Sequence, residues 1–452
     1  MVLNQPPTSL RTRTTCRVCG SPQLSPVLDL GPQNIAGAFV RPGDESPIER
    51  AIPLELVRCD MSSDQDACGL VQTRHSVPPA LLYQSYWYRS GVNRTMTDHL
   101  HKLARTADKA VELMPGDLVV DVGCNDGTLL DGYQTEGLRH LGFDPSDVTR
   151  YAVEKGYDVE LAFFSGDRLA QRYPDQKAKI LTSIAMFYDL ETPTEFVADV
   201  ARSLAQDGIW VLELHYLPMM LERNQFDAIV HEHLGYYSLA VLERLVGEAG
   251  LEVVWVDTND LNGGSIQLFI AHSGQRHRSE DAEARLQKLR IQEFEIALDS
   301  AEPYDSFAKG VARVRDELSS LCRSLRDDGK TIHVYGASTK GNTILQYADL
   351  DHEIIPFAAD RNPDKWGTET IRTKIPIISE EESRAMNPDY YLVLPWHFLD
   401  EFVEREQAFF DRGGSFIVPL PEVRLINSGD VSVSAARNRA SASPASSSDA
   451  SS

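Results

Sequence analysis

The chain has 452 residues, 42% hydrophobic and 25% charged, the balance of an ordinary globular protein with several domains. Asp and Glu number 67 against 44 Lys and Arg, and the resulting net charge of −23 argues against a nucleic-acid partner, which needs clustered cations. No window reaches the roughly 18 apolar residues of a membrane span, and the N-terminus carries no apolar signal core, so a cytoplasmic protein with no membrane partner is expected.

Residues 1–76 hold four of the six cysteines. Cys16-Arg-Val-Cys19-Gly is a C-x-x-C knuckle, and Cys59 and Cys68 follow about forty residues later, Cys68 again followed by Gly. Two thiolate pairs fit a closed tetrahedral zinc, with no open position for catalysis. Disulfides or free thiols are the alternatives, the former disfavoured without an export signal. The second pair is wide, with Asp60, Asp64 and Asp66 inside it, but zinc prefers the softer thiolates.

Residues 77–115 read as helical, and Tyr83-Gln-Ser-Tyr86-Trp-Tyr88 forms an aromatic cluster that either packs between domains or contributes a phenol to a pocket. From 116 to 273 strand and helix signals alternate. Strands are predicted over 118–120, 140–143, 159–163, 180–184 and 208–213, with 252–256 and 265–270 as a closing antiparallel pair. The sequence over 119–130, Val-Val-Asp-Val-Gly-Cys-Asn-Asp-Gly-Thr-Leu-Leu, reads as strand, glycine turn, then a helix from about Thr128. Its G-x-x-x-G spacing is not the G-x-G-x-x-G of dinucleotide binders. With Asp121 and Asp126 and no Lys, the turn suits a ligand with a cationic or hydroxyl-rich end, such as S-adenosylmethionine (SAM); a turn with no ligand is the alternative. Gly123, Asn125, Gly127 and Thr128 would line it. Asp144, about twenty residues on at the end of the next strand, is placed to reach a ribose diol, and Phe163 or Phe164 to flank adenine.

Beyond the carboxyl ends of these strands lie His215 and Tyr216, then His231-Glu232-His233 with Tyr236 and Tyr237. Alternate residues do not share a helix face, so this is no H-E-x-x-H zinc motif; two imidazoles, a carboxylate and two phenols in one loop point to proton chemistry rather than core. Residues 274–330 read as charged amphipathic helices linking to a second α/β unit over 331–427. There Gly336-Ala-Ser338-Thr339-Lys340-Gly-Asn follows a strand; it is not a P-loop, yet backbone donors and Lys340 can hold a phosphate at a helix start. Arg361 follows the next strand, and after about 427 a Ser- and Ala-rich tail is expected to be disordered.

The paired cysteines ending in Cys68-Gly-Leu-Val-Gln, the Val-Gly-Cys-Asn-Asp-Gly turn, His231-Glu-His233, Gly263-Gly-Ser265 and the Tyr-Gly-Ala-Ser-Thr-Lys-Gly-Asn turn together resemble the sugar C-methyltransferases that act on nucleotide-linked 4-keto-deoxysugars. The resemblance covers residues 12 to about 427. It implies an α/β protein: a small zinc-binding domain (12–76), a class I SAM-methyltransferase Rossmann-like domain (77–273) and a C-terminal Rossmann-like domain that helps hold the nucleotide sugar. It implies His233 as base, Glu232 as the neighbouring acid holding the imidazole, and Tyr86 or Tyr88 as assisting phenol, with His231 beside them. Cofactor contacts then fall on Asp121, Gly123, Asn125, Gly127, Thr128, Asp144, Phe163 and Ala185. Substrate contacts fall on His215, Tyr216, Tyr237, Asn262, Ser338, Thr339, Lys340 and Arg361. Cys16, Cys19, Cys59 and Cys68 fall on the structural zinc. Three positions depart from the family: Val230 where Tyr is usual, Asn262 where His is common, and Ala185-Met-Phe-Tyr-Asp189 where Asn-x-Phe-x-His is common. The nearest alternative is a nucleotide-sugar epimerase that uses the same base with SAM or its product as a passive ligand. The oligomeric state stays open between monomer and homodimer.

Overall fold

The computed structural model describes residues 10–43, 51–78, 82 and 88–430. Tyr86 and the tail beyond 430 lie outside these residues. The fold divides into two compact units, one reaching Ala312 and the other made of Val40–Gly43 and the chain from Arg313.

The cysteine-rich region is a small antiparallel sheet of β1 (Leu24–Gln33), β2 (Ile52–Cys59) and β3 (Val71–Thr73). Its fourth strand, Gly235–Tyr236, comes from far along the chain and pairs with β3, Gly235 opposite Gln72. The His-Glu-His loop is thus tied at its C-terminal end to the cysteine domain.

Helix α1 (Arg94–Ala110) starts where the Asn93 side chain accepts the Met96 amide, an N-cap. Met96, Leu100, Leu103, Ala104 and Ala107 recur at helical spacing and are buried. They cover one face of the central sheet, beside Val119, Ile180 and Val211. That sheet holds β4 (Leu118–Val122), β5 (Arg139–Phe143), β6 (Asp158–Glu160), β7 (Ala178–Ile184), β8 (Leu204–His215), β9 (Leu251–Asn259) and β10 (Ser265–His272), in the order β9-β10-β8-β7-β4-β5-β6. The first five are parallel; β10 runs antiparallel to both β8 and β9. All five residues of β4 are buried, as a strand covered on both faces requires. Leu118, Val120 and Val122 face the opposite side, sharing a core with Val197 and Val200 of α2 (Pro193–Ser203), Leu242 and Leu245 of α3 (Leu239–Glu248), and Leu286 of α4 (Glu280–Ile296). Strand order reverses on either side of β4, which opens a ligand crevice at its carboxyl end.

Two sequence expectations are corrected here. Strand β6 ends at Glu160, so Phe163 lies in the loop after it. No α-helix follows the glycine turn: the connection makes a single 3-10 turn, Leu130–Gly132. The reason is close packing on α1. A Cβ at Gly132 would sit 2.7 Å from the Ala104 Cβ and 2.8 Å from the His101 Cα. Asp108 of α1 then accepts the amides of Gln134 and Thr135 and the Thr135 hydroxyl. The side chain of Asp126 also turns onto Thr128, taking its amide at 3.2 Å and hydroxyl at 2.6 Å.

Helix α5 (Glu302–Asp327) spans the division between the units. The second unit holds β11 (Ile332–Tyr335), β12 (Phe357–Asp360), β13 (Ile377–Ser379), β14 (Tyr390–Val393), β15 (Ser415–Val418) and β16 (Arg424–Ile426), in the order β13-β12-β11-β14-β15-β16. Only β16 is antiparallel to its neighbour. The order reverses at β11, as it does at β4 in the first sheet.

Candidate active site

At the end of β4 the backbone enters the left-handed region three times, at Gly123 (φ 77°), Asn125 (φ 51°) and Gly127 (φ 75°). Glycine is required at the first, where a Cβ would also meet the Met186 Cγ at 3.0 Å. Asp144, at the end of β5, accepts the Asn125 amide at 3.0 Å on one oxygen and the Ser146 amide and hydroxyl on the other. A carboxylate has about four acceptor positions and three are used here, so capacity remains for one ribose hydroxyl on the oxygen that holds Asn125. Asp121 is buried and accepts the Thr182 hydroxyl at 2.6 Å. Burial raises its carboxyl to about 7; Thr182 opposes the shift and Asp144 adds to it. A ligand ammonium group would restore the ionised form.

The Asn125 side chain holds protein backbone: its oxygen accepts the Ser90 amide and its nitrogen donates to the Tyr88 carbonyl, both at 3.1 Å. Asp126 accepts the Gly91 amide at 2.9 Å. These bonds fix the 88–91 segment against the turn. Tyr88 itself is exposed. Phe163 is exposed and Phe164 packs in the core, its ring 5.2 Å from Phe143 and 5.5 Å from Phe196, so of the two only Phe163 is open to a ligand ring. Ala185, at φ 54°, caps β7 and donates its amide to the Glu213 carbonyl. Glu213 is buried on β8 with His99, Asn259 and Gln267 on its carboxylate, a junction of α1 with β9 and β10 that sequence reading did not single out.

The His-Glu-His segment sends its three side chains to different places. His233 directs Nδ1 to the Ala228 carbonyl at 2.8 Å. A carbonyl only accepts, so Nδ1 carries the proton and the lone pair of the neutral ring lies on Nε2. The ring packs against Tyr188 (4.2 Å between centroids) and lies 5.5 Å from His215, and Tyr188 stacks on His215 at 5.3 Å. Glu232 does not orient that imidazole, contrary to expectation. It is buried and accepts the amides of Gly37 and of its own residue, and burial raises it to about 7. His231 is also corrected: it is buried, its Nε2 lies 3.2 Å from the Ile52 carbonyl, and burial lowers it to about 4, which keeps it neutral in the seam with the cysteine domain.

Two expected substrate contacts are structural. The Tyr216 hydroxyl donates to buried Glu293 at 2.8 Å, and Glu293 also accepts the first amides of α3, binding α4 to the sheet. Tyr237 is fully buried, its ring 5.2 Å from Phe187. The two residues sit just past their strands and pair with each other in an isolated parallel bridge. Asn262 stays at a turn, in the left-handed region (φ 54°) ahead of Gly263 and Gly264. Tyr188 is the residue sequence reading passed over; its signal was its place in the segment that departs from the family pattern.

Cys16, Cys19, Cys59 and Cys68 bring their sulfurs within 4.8 Å of one another, with Cys16–Cys68 at 3.5 Å and Cys19–Cys59 at 3.4 Å. Bonds of about 2.3 Å from a tetrahedral zinc give sulfur–sulfur edges of about 3.7 Å, close to the two shortest contacts, so four thiolates gathered this tightly suit a closed zinc site. All four are free thiols rather than disulfides. Each thiol perturbs the others: Cys19 is held well below the usual thiol range by hydrogen bonds with Cys16 and then Cys59, while Cys68 is pushed far up by Cys16 and then Cys19 and Cys59.

In the second unit, Ser338 accepts the Gly341 amide at 3.1 Å and caps α6 (Thr339–Tyr347). Thr339 is the first helical residue and Lys340 the second, the latter partly exposed. His397 nearby is lowered to about 3, by burial and then by the Lys340 charge. Arg361 is paired with Glu401 at 2.9 Å, which draws its guanidinium into a protein ion-pair network.

Three families match the chain in succession: "Putative zinc binding domain" over 16–83, "Methyltransferase domain" over 88–256 and "C-methyltransferase C-terminal domain" over 260–421. The C-methyltransferase NovU of Streptomyces niveus is 34% identical over 416 residues, 91% of this chain and 96% of that protein. This chain belongs to the C-methyltransferase family. The ubiquinone biosynthesis O-methyltransferase of Burkholderia pseudomallei is 25% identical over 31% of the chain and 67% of its own length. Among solved structures, a complex of the Haloferax volcanii Trm112 methyltransferase activator with its methyltransferase aligns with 40% of the chain and 94% of that chain, at 20% identity and a TM-score of 0.34. The C-methyltransferase is SAM-dependent, and its N-terminal domain is a zinc-binding domain whose four cysteines lie together. Among its described residues no helix is long and apolar enough to cross a membrane.

Proposed function

We propose that this C-methyltransferase moves the methyl group of SAM to a carbon beside the ketone of a nucleotide-linked 4-keto-deoxysugar, with His233 as the base. The observation that carries the reading is the Nδ1 bond of His233 to Ala228, which presents Nε2 as the proton acceptor. A 4-keto group acidifies the adjacent C–H, and His233 takes that proton. The resulting enolate oxygen needs a donor; Tyr188 and His215, packed with the base, are the candidates among the described residues. SAM, when bound, supplies a methyl on a sulfonium, a good leaving group. Asp121 would hold its ammonium and Asp144 its ribose, so that the chain's main contribution is to keep carbon and methyl in line. Glu232, protonated up to about pH 7, would donate to a sugar oxygen, and one of its oxygens has no partner among the described residues. Within the second unit, the Ser338–Lys340 turn offers helix-start amides and a cation, which suit the anionic diphosphate of a nucleotide.

The test is incubation with methyl-labelled SAM and dTDP-, GDP- and CDP-4-keto-6-deoxyhexoses, read by mass spectrometry. Label on a sugar carbon is expected with one of the three. Label on oxygen, or stereochemical change without label, would overturn the reading. His233→Asn is expected to lose roughly 100- to 10,000-fold in rate with SAM still bound.

A further inference from the structure

Arg17 lies between the two cysteines of the first knuckle, and its side chain is wholly excluded from solvent. A guanidinium in that position must satisfy its donors inside the protein. It does so by reaching three segments. Nη1 donates to the Thr73 carbonyl at 2.7 Å and to the Gln72 side chain at 3.1 Å; Nη2 donates to the Ser76 hydroxyl at 2.7 Å; Nε lies 3.4 Å from Glu191. The Ser76 hydroxyl in turn donates to the same Glu191 oxygen at 2.7 Å.

Both destinations lead to the base loop. Glu191 follows three residues after Tyr188, whose ring packs on His233 and whose carbonyl accepts the Leu234 amide at 2.7 Å. On the other side, the Thr73 amide donates to the Leu234 carbonyl at 3.0 Å, and Gln72 lies opposite Gly235 in the sheet. The residue after His233 is therefore held through both its amide and its carbonyl, and each hold ends on a segment that Arg17 binds. Glu191 also meets Arg13 at 3.0 Å and exposed Arg11 at 3.6 Å, but only Arg17 is fully buried and contacts both paths.

We propose that Arg17 is a positioning residue for methyl transfer, setting the place of the His233 ring through Glu191 and strand β3; this rests on His233 being the base. The cysteine domain then does more than add stability, because its first knuckle carries the side chain that registers the catalytic loop.

The experiment uses the full zinc-loaded chain as Arg17→Lys, Glu191→Gln, Arg11→Ala and His233→Asn. Bound zinc, SAM affinity by calorimetry, single-turnover methyl transfer and the imidazole resonances of nitrogen-15 histidine are measured with SAM present. Arg17→Lys and Glu191→Gln are expected to keep one zinc and SAM affinity within about twofold. They should shift the His233 Nδ1–H resonance and slow methyl transfer roughly 10- to 100-fold, the scale of a small misplacement of reacting atoms. Arg11→Ala should change neither. Glu191 is outside the knuckle, so Glu191→Gln decides the matter even where Arg17→Lys loses metal. Unchanged His233 resonances and rate in Glu191→Gln would overturn the proposal. Undiminished methyl transfer in His233→Asn would instead overturn the assignment of the base, while the resonance shifts would still report whether Arg17 places that ring.

Discussion

The two glycine turns of this chain follow the same kind of strand and differ in almost everything else. Each leaves a buried parallel strand, β4 or β11, at the point where strand order reverses. The first is acidic: Asp121 buried within it, Asp126 accepting an amide from outside, Asp144 beside it, and a single 3-10 turn where a helix was expected. The second passes straight into a nine-residue helix capped by Ser338, with Lys340 in its first turn. Burial raises Asp121 to about 7 in the first, whereas burial and Lys340 lower His397 to about 3 beside the second. One topology therefore provides two opposite electrostatic settings, which on the proposed function would serve a cationic amino acid end and an anion. What decides between them is the side chains that close the turn, not the order of strands.

The sharpest way to break this contrast is Asp121→Asn. Losing a charge-assisted contact of about 2 kcal/mol should weaken SAM roughly 30-fold by calorimetry, with little change for a nucleotide diphosphate. Equal weakening of both ligands would mean that the acidic turn is not selective.

The same residue predicts a pH dependence. Asp121 is raised, to about 7, in the free protein, and the proposed contact with the SAM ammonium group requires it ionised. Affinity should be full above that value and fall about tenfold from pH 8 to pH 6, with proton release on binding in that window. A flat profile in wild type, or an unaltered one in Asp121→Asn, would sink the assignment. The sign for stability is opposite. Asp121 and Glu232 are both raised above their unfolded values, so their contribution to the free protein is greatest below about pH 4 and is lost as pH climbs towards 7.

Lys340→Ala probes the other turn. It should raise KM for the nucleotide sugar about fivefold, roughly 1 kcal/mol, and leave SAM affinity unchanged. The smallest effect is expected of Arg361→Ala: because the guanidinium is committed to Glu401, KM should move by less than about twofold. A larger rise would show that Arg361 leaves this pair to meet substrate.

Periodicity, the glycines and the cysteine spacing were enough to place the seven central strands, the two turns and the metal set. These are local signals, since apolar runs, positive-φ residues and C-x-x-C pairs act over a few residues. The direction of side chains was not legible. Tyr216 and Tyr237 look like site residues in a line of text, yet the helix packing of the sheet turns one to Glu293 and buries the other on Phe187. Glu232 neighbours His233 in sequence but bonds Gly37, and the imidazole is held instead by the carbonyl of Ala228. No sequence pattern reports such a bond, because every residue has a carbonyl. The same holds for Arg17 and Glu191, 174 residues apart in the chain and 3.4 Å apart in the fold.

The sequence by itself determined which chemical groups this chain owns and the elements that carry them, because hydrophobic pattern and turn chemistry are written residue by residue. Only the tertiary structure decided which groups face a ligand and which support the frame. Burial fixes both the charge state and the hydrogen-bond partner of a side chain, and burial exists only after distant segments have packed.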